Sequence, residues 1–375
     1  MKISIHAIYY HPEVGGMESH IKDLAEEFVR RGHRVNIVCG RSLPGLSEQE
    51  VIDGVEVYRT RWFGRNAVGW FRYVVGSLAT FDRVAADADI VHAQGFPCAL
   101  ATRRVAGRRH ISNLVTVHSS HFLRLARKRL LHPGFRYLFG PTDHILTPSA
   151  ELQAAVESVL PGRRAECYVN SVNTRRFRRV EPSLACPGKT VIVCPRRLVE
   201  KNGVRYAILA LPLIKREMPV HLYMAGPGPL QPELERLAGE LGVAEDVTFL
   251  GAVAHDRMPA VLSSADVILV PSLMEATSIA ALESMACERV IAASRVGGLP
   301  EIIDEEIGAL FEPANPEAIA AAVRELLRRD RAAMGQTARR RVEENWSATR
   351  LADHHLALYQ RLIRSKSPGT TGRDA

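Results

Sequence analysis

Residues 265–286, "ADVILVPSLMEATSIAALESMA", hold the reading that decides the fold. Val267 to Val270 is an apolar, largely β-branched run with no polar interruption, which fits a strand buried on both faces. "LMEAT" then reads as a loop and "SIAALESMA" as a helix. A buried strand, a short loop and a helix are the repeating unit of parallel α/β layers. Two carboxylates, Glu275 and Glu283, stand eight positions apart across otherwise small or apolar residues.

The same alternation runs outward in both directions. "TVIVCPR", "VHLYMAG" and "DVTFLG" precede the stretch and "RVIAAS" follows it, each separated by helical sequence. Upstream lies an independent set: "KISIHAIYY", "RVNIVCG", "VEVYR", "DIVHAQ", "NLVTVHS", "HILTPS" and "AECYVN". Its first helix, "GMESHIKDLAEEFVRRG", puts Ile21, Leu24, Ala25 and Phe28 on one face. Polar, Pro-containing "SVNTRRFRRVEPSLACPGK" separates the sets. Each set can form its own doubly wound sheet, and 375 residues suit two cores. The expected architecture is two α/β domains with a cleft between them, ligands lying beyond the carboxyl ends of the strands.

Composition narrows the function classes. An apolar share of 46% and a charged share of 24% are those of a soluble globular chain. No apolar stretch reaches the roughly 18–20 residues of a membrane span, and the N-terminus lacks a signal-peptide pattern, so a cytoplasmic location is expected. "SKSPGTTGRDA", 365–375, reads as a frayed, disordered tail. The cysteines at 39, 98, 167, 186, 194 and 287 show no C-x-x-C pair or zinc spacing and read as reduced. Of the net charge of +8, +6 falls within residues 1–170, which carry 22 Lys+Arg against 16 Asp+Glu. That half should attract an anion: a phosphate-bearing ligand or an anionic lipid surface. Nucleic acid is disfavoured by the 6% aromatic content and the absence of any nucleic-acid module.

The loops after the strands carry the candidate chemistry. Gly15-Gly16 ends strand one before a helix, where bare backbone and free N–H groups can meet a phosphate; a tight turn would use the same residues. His118 ends "VTVH" at the cleft edge, where a buried core histidine is the competing reading. Arg196, Arg197 and Lys201 follow "VIVCP" and can neutralise a diphosphate, or simply face solvent. Glu275 lies in its loop and Glu283 about 7.5 Å further along the helix axis if that helix starts near Ser278. Sugar hydroxyls donate well to carboxylates, and amides at a helix start favour an anion. A nucleotide sugar, with hydroxyls at both ends and a diphosphate in the middle, fits this layout.

These residues carry a resemblance. E-x7-E, with "PEVGGMESH", "TVHSSHF", "RRLVEKNGV", "AGPGPL", "VTFLGAV", "MPAVLSSADVILVPS" and "SRVGGLPEII" in the same order, resembles the retaining glycosyltransferases of family 4 along nearly the whole chain. The resemblance implies the GT-B fold, two Rossmann-like domains facing across a central cleft. It divides the chain into an acceptor-side domain (1–170), a linker (171–188), a nucleotide-sugar domain (189–346) and a helix (347–364) packing back on the first domain. It implies a UDP- or GDP-linked hexose as donor substrate, with no metal or other cofactor required. "DAD" at 87–89 precedes a strand and reads as a turn.

By the same resemblance Gly15 and Gly16 lie at the distal phosphate and His118 at the reacting centre near the sugar's C6 hydroxyl. Arg197 and Lys201 hold the diphosphate together with Thr277, Ser278 and Ile279 at the helix start. Glu275 binds the sugar and Glu283 the ribose, while Arg196, Gly251 and Val253 line the base pocket. The chain departs from the family in three places. Ala276-Thr277-Ser278 replace the usual glycines after the first Glu, Asn202 separates Lys201 from Gly203, and "VNSVNTRRF" replaces "PNGVD". The expected chemistry is same-face substitution at the anomeric carbon, the leaving phosphate taking the acceptor's proton. A non-catalytic nucleotide-sugar sensor is the alternative function. A dehydrogenase is disfavoured by the missing G-x-G-x-x-G. The acceptor is an unknown hydroxyl. "HFLRLARKRLLH", with Leu123, Leu125, Leu130 and Leu131 among Arg124, Arg127, Lys128 and Arg129, reads either as a basic helix on an anionic membrane carrying a lipid-linked acceptor or as a packing helix.

Overall fold

The computed structural model describes residues 1–13, 15–118 and 120–366, which fall into two compact units. Unit 1 is the chain from Met1 to Val169 together with the C-terminal segment from Ala348, and unit 2 is Asn170–Ser347.

Unit 1 contains strands β1 (Lys2–Ala7), β2 (Arg34–Gly40), β3 (Gln49–Ile52), β4 (Val55–Thr60), β5 (Ile90–Gln94), β6 (Ser112–Thr116), β7 (His144–Thr147) and β8 (Glu166–Cys167). They form one sheet in the order β3-β4-β2-β1-β5-β6-β7-β8. All neighbours are parallel except β3 and β4, an antiparallel hairpin closed at Asp53-Gly54, both of which have positive φ. "DG" is a type I′ turn signal. Unit 2 contains β9 (Thr190–Cys194), β10 (Val220–Ala225), β11 (Val247–Gly251), β12 (Val267–Val270), β13 (Ile291–Ser294) and β14 (Gly308–Phe311) in the order β11-β10-β9-β12-β13-β14, all parallel. In both sheets the strand order reverses beside the first strand of the unit, between β1 and β5 and between β9 and β12. Each reversal opens a crevice at the carboxyl ends of the strands.

The strand sequences account for this layering. β5, β6, β10, β12 and β13 are buried along their whole length, as strands covered by helices on both faces must be. The helix Gly16–Arg30 buries Ile21, Leu24, Ala25 and Phe28, the predicted face. The C-terminal helix Ala348–Lys366 belongs to the same core, with Leu351, Ala352 and Tyr359 packed among Ile3, Ile5, Leu24 and Phe28.

Several boundaries differ from the sequence reading. The C-terminal helix runs to Lys366, so the first two residues of the expected tail are helical; 367–375 lie outside the described residues. The expected linker is part of unit 2: Val172 N donates to Trp346 O (2.9 Å), Leu184 N donates to Ser264 Oγ (2.9 Å), and Phe177 is fully buried. "AECYVN" shrinks to the two-residue β8. The expected basic helix is broken into a helix Ser120–Ala126, a 3-10 turn Arg129–Leu131 and a helix His132–Phe139. Lys128 is extended there, and Pro133 suits the first turn of a new helix better than the interior of an old one. None of the six cysteines forms a disulfide among the described residues. Among the described residues no helix is long and apolar enough to cross a membrane.

Candidate functional site

In unit 2 the predicted residues gather at the carboxyl ends of β9 and β12. The loop after β12 delivers Glu275, 9% exposed, to the guanidinium of Arg196, whose Nη2 donates to Glu275 Oε2. The same Nη2 donates to Asn202 Oδ1 (3.0 Å), and Nη1 reaches Ser278 Oγ (3.4 Å). Asn202 in turn donates to Arg197 O (2.8 Å), so "RRLVEKN" folds back on itself and aims Arg196 at the carboxylate. Arg196 was expected beside the nucleoside; its observed partner is Glu275, the carboxylate expected at the sugar. Arg197, the next residue, is exposed. Lys201 lies in the turn Glu200–Asn202, and its carbonyl accepts from Leu273 N (2.9 Å) and Met274 N (3.2 Å), tying that turn to the Glu275 loop.

Two glycines let the loop sit where it does. Gly203 (φ 62°) and Gly297 (φ 53°) have left-handed backbone that other residues avoid. A Cβ on Gly203 would fall 1.9 Å from Pro271 O, and one on Gly297 1.6 Å from Glu275 O. Any side chain at 297 would displace the peptide of Glu275 itself.

Ser278 caps the helix Ile279–Ala286, its Oγ accepting from Ala281 N (3.2 Å). The first N–H groups of that helix have no intrahelical acceptor and carry the positive end of its dipole. Two buried polar atoms here lack a partner among the described residues: Arg196 Nε and Thr277 Oγ1. One turn further on, Glu283, 8% exposed, has its Oε1 3.1 Å from His255 Nε2. His255 Nδ1 lies 3.4 Å from Arg176 Nη1, and its ring packs 5.0 Å from Phe177. The arginine can only donate, so Nδ1 accepts and Nε2–H points at the carboxylate. The two glutamates therefore sit in separate polar settings, Glu275 against Arg196 and Glu283 against His255. His255 was missed, although it follows β11 and the rule of searching after strands reaches it. Gly251 ends β11 with φ 63°, beside a register shift against β10, and Val253 is half-buried just beyond it.

In unit 1, Gly15 is the N-cap and Gly16 the first residue of the helix Gly16–Arg30; the adjacent Val14 lies outside the described residues. The same helix carries buried His20, whose ring meets the ring of His118 edge to face at 4.7 Å. The glycine pair and the predicted histidine are thus tied to one element. His118 follows β6, and its Nε2 lies 2.5 Å from Gln94 Oε1 at the end of β5. Burial lowers its pKa to about 3, so the ring is neutral at physiological pH. Ser119 and the side chain of Ser120 lie outside the described residues. His121 stacks near Phe96 and meets Trp70 edge-on at 5.6 Å.

The broken basic stretch has a mixed surface. Leu123 is buried, but Leu130 is 92% exposed, Leu131 and Tyr137 are exposed, and Arg124, Arg127, Lys128, Arg129 and Arg136 surround them. Between Asp89 and Asp143 the chain has nine arginines and lysines and no acidic residue.

Residues 14–176 match the family described as Glycosyltransferase Family 4, and residues 189–329 match Glycosyl transferases group 1. The chain is 31% identical over 350 residues to an uncharacterised glycosyltransferase of Methanocaldococcus jannaschii, spanning 85% of this chain and 87% of that protein. It is 34% identical over 229 residues to the GDP-mannose-dependent alpha-(1-6)-phosphatidylinositol monomannoside mannosyltransferase of Mycolicibacterium smegmatis, covering 58% of this chain and 56% of that one. The structure superposes on sucrose-phosphate synthase from Thermosynechococcus elongatus with a TM-score of 0.86 at 21% identity, covering 97% and 99% of the two chains.

Proposed function

Because this chain belongs to glycosyltransferase family 4 and has the two parallel-sheet Rossmann-like domains of GT-B enzymes, we propose that it transfers a hexose from a nucleoside-diphosphate sugar to an acceptor hydroxyl with retention of configuration. The observation that carries this reading is the pair of carboxylates on one loop and helix with different partners, Glu275 on Arg196 and Glu283 on His255. A retaining glycosidase needs two carboxylates on one reacting carbon, about 5–5.5 Å apart. Here one carboxylate suits a sugar and the other a ribose.

In this reading the diphosphate meets the start of the helix Ile279–Ala286, with Arg197 and Lys201 as its cations. Glu275 accepts from sugar hydroxyls, and Arg196 fixes the direction of its carboxylate. The bond between the anomeric carbon and the phosphate oxygen breaks as the acceptor oxygen bonds to the same face. The acceptor's proton passes to the departing phosphate oxygen, so no protein base is needed. His118, kept neutral by burial, is too weak a base for that proton and serves as a hydrogen-bond partner of the sugar. Catalysis then comes from positioning and from stabilising the charge that develops on the leaving group.

For the acceptor we favour a lipid-linked hydroxyl presented at an anionic surface. Exposed Leu130, Leu131 and Tyr137 amid five cations support this, and the mycobacterial relative is named for a phosphatidylinositol mannoside. The test is release of UDP or GDP from a panel of nucleotide hexoses, with NMR assignment of the product's anomeric linkage. Binding without turnover for every donor and acceptor would leave a nucleotide-sugar sensor, and an inverted linkage would refute retention.

A further inference from the structure

His118 does not stand alone. Its Nε2 faces the side-chain oxygen of Gln94, and the Gln94 Nε2 lies over the ring of His92, 3.4 Å from Nδ1 and 3.3 Å from Nε2. His92 Nδ1 is 2.6 Å from the Tyr359 hydroxyl, and its Nε2 is 2.7 Å from Thr116 Oγ1. Gln94, His92 and Tyr359 are all buried, and Tyr359 belongs to the C-terminal helix, 267 residues away from His92. This is a continuous polar chain from the last helix of unit 1 to the predicted site residue.

The proton order along it can be worked out. Burial holds the His92 pKa well below its ordinary value, so the ring is neutral: of its two nitrogens, one facing Tyr359 and the other Thr116, one donates to its hydroxyl partner and the other accepts. With both ring nitrogens engaged, the open part of His92 is its π face, which attracts an N–H and repels a carbonyl oxygen. The amide of Gln94 is therefore oriented nitrogen toward His92 and oxygen toward His118. An oxygen can only accept, so the proton of His118 is on Nε2. His118 Nδ1 is then a bare lone pair, and it is buried with no partner among the described residues.

We propose that Gln94 is a positioning residue that sets the tautomer of His118, holding the proton on Nε2 so that Nδ1 stands ready to accept a hydroxyl proton of the transferred sugar, and that Tyr359, acting through His92, holds Gln94 in that orientation. The sugar's part in this rests on the role given to His118 above; the tautomer does not. The titratable groups facing His118 are themselves histidines: His20 from the first helix, His92 from β5 and His355 from the C-terminal helix. The ring thus has no charged partner among them, and its orientation depends on the amide.

The test is a long-range 1H–15N correlation spectrum of the histidine rings in the ligand-free full-length protein, with His118 assigned by its loss in His118→Ala. The expected wild-type spectrum shows His118 protonated on Nε2 alone. Gln94→Leu should mix the tautomers and lower kcat about three- to tenfold, the worth of one neutral hydrogen bond. Gln94→Glu should keep the Nε2–H tautomer, restore most of the turnover at high pH and give kcat an acid limb, because a carboxylate favours the imidazolium. Tyr359→Phe should shift the tautomer in the same direction as Gln94→Leu, to a smaller extent. A wild-type ring protonated on Nδ1, or an unchanged tautomer in Gln94→Leu, overturns the proposal. Full turnover in His118→Ala would instead refute the sugar contact, a failure that the spectrum distinguishes from failure of the tautomer.

Discussion

Removing the Arg196 guanidinium tests whether the Glu275 loop is held by charge. In Arg196→Met the Glu275 carboxylate, nine-tenths buried, keeps among the described residues a 3.5 Å contact from Ser272 Oγ. Both partners of the pair have side chains about 10% exposed, so water offers little relief. Breaking a buried pair from one side costs roughly 3–5 kcal/mol, whereas replacing both partners by neutral groups is often close to neutral. Unit 2 spans Asn170–Ser347, a size for which 1 kcal/mol moves the midpoint about 2–4 °C. Arg196→Met should therefore lower the calorimetric midpoint of the unit 2 transition by about 6–20 °C. Adding Glu275→Gln should recover most of that loss. The assay is differential scanning calorimetry of wild type, both single variants and the double variant, the four corners of a mutant cycle. If the double variant melts no higher than Arg196→Met, the pair is not what holds the loop.

Glu275→Ala should mainly depress kcat, whereas Glu283→Ala should mainly raise the donor KM and weaken nucleoside diphosphate binding by about 1–3 kcal/mol. His255→Ala should follow the Glu283 pattern at smaller size; titration calorimetry with UDP and GDP checks both, and equal losses at Glu275 and Glu283 would contradict the division of roles. Acid should unfold unit 1 first. His6, His20, His92, His118 and His355 are all held neutral by burial, so the unfolded chain binds more protons below about pH 6.5 and stability falls as pH drops. Each ring contributes a slope of up to about 1.4 kcal/mol per pH unit; midpoints that stay level from pH 7 to 5 would refute this. Replacing Arg124, Arg127, Lys128 and Arg129 with Gln should remove up to about 4 kcal/mol of attraction to anionic vesicles, at about 1 kcal/mol per charge. Leu130→Ser should weaken the same binding, while donor hydrolysis in solution stays level; unchanged sedimentation with vesicles would show a solvated surface.

The sequence revealed most of what depends on local pattern. Buried strands such as "VILV" and "IVHAQ" announced themselves as unbroken apolar or β-branched runs, and the rule that ligand loops follow strands led directly to His118, Arg196 and Glu275. Partner choice was less legible. Arg196 and Arg197 are chemically identical neighbours, and only the path of the chain after β9 decides which one meets Glu275. Gln94 sits two residues from His92, yet its significance appears only when Tyr359 arrives from the far end of the chain. β4 is legible as "VEVYR", but its partner β3, Gln49–Ile52, is too short to register, although the "DG" between them carries a readable signal. The basic stretch failed for a different reason: its leucines and cations fit a helical period, and Pro133 lay just beyond the window in which that period was judged.

The interrupted course of unit 1 has a consequence for synthesis. Unit 2 is a single uninterrupted stretch, Asn170–Ser347, and is synthesised in full before Leu351, Ala352 and Tyr359 are added to fill the core around Ile3 and Phe28. At about 5–20 residues per second, the nascent first sheet waits on the order of ten seconds or more for its last helix. The domain begun first is finished last. During that interval its apolar face is a natural client for a chaperone, and the polar chain ending at His118 cannot form until the helix Ala348–Lys366 has left the ribosome.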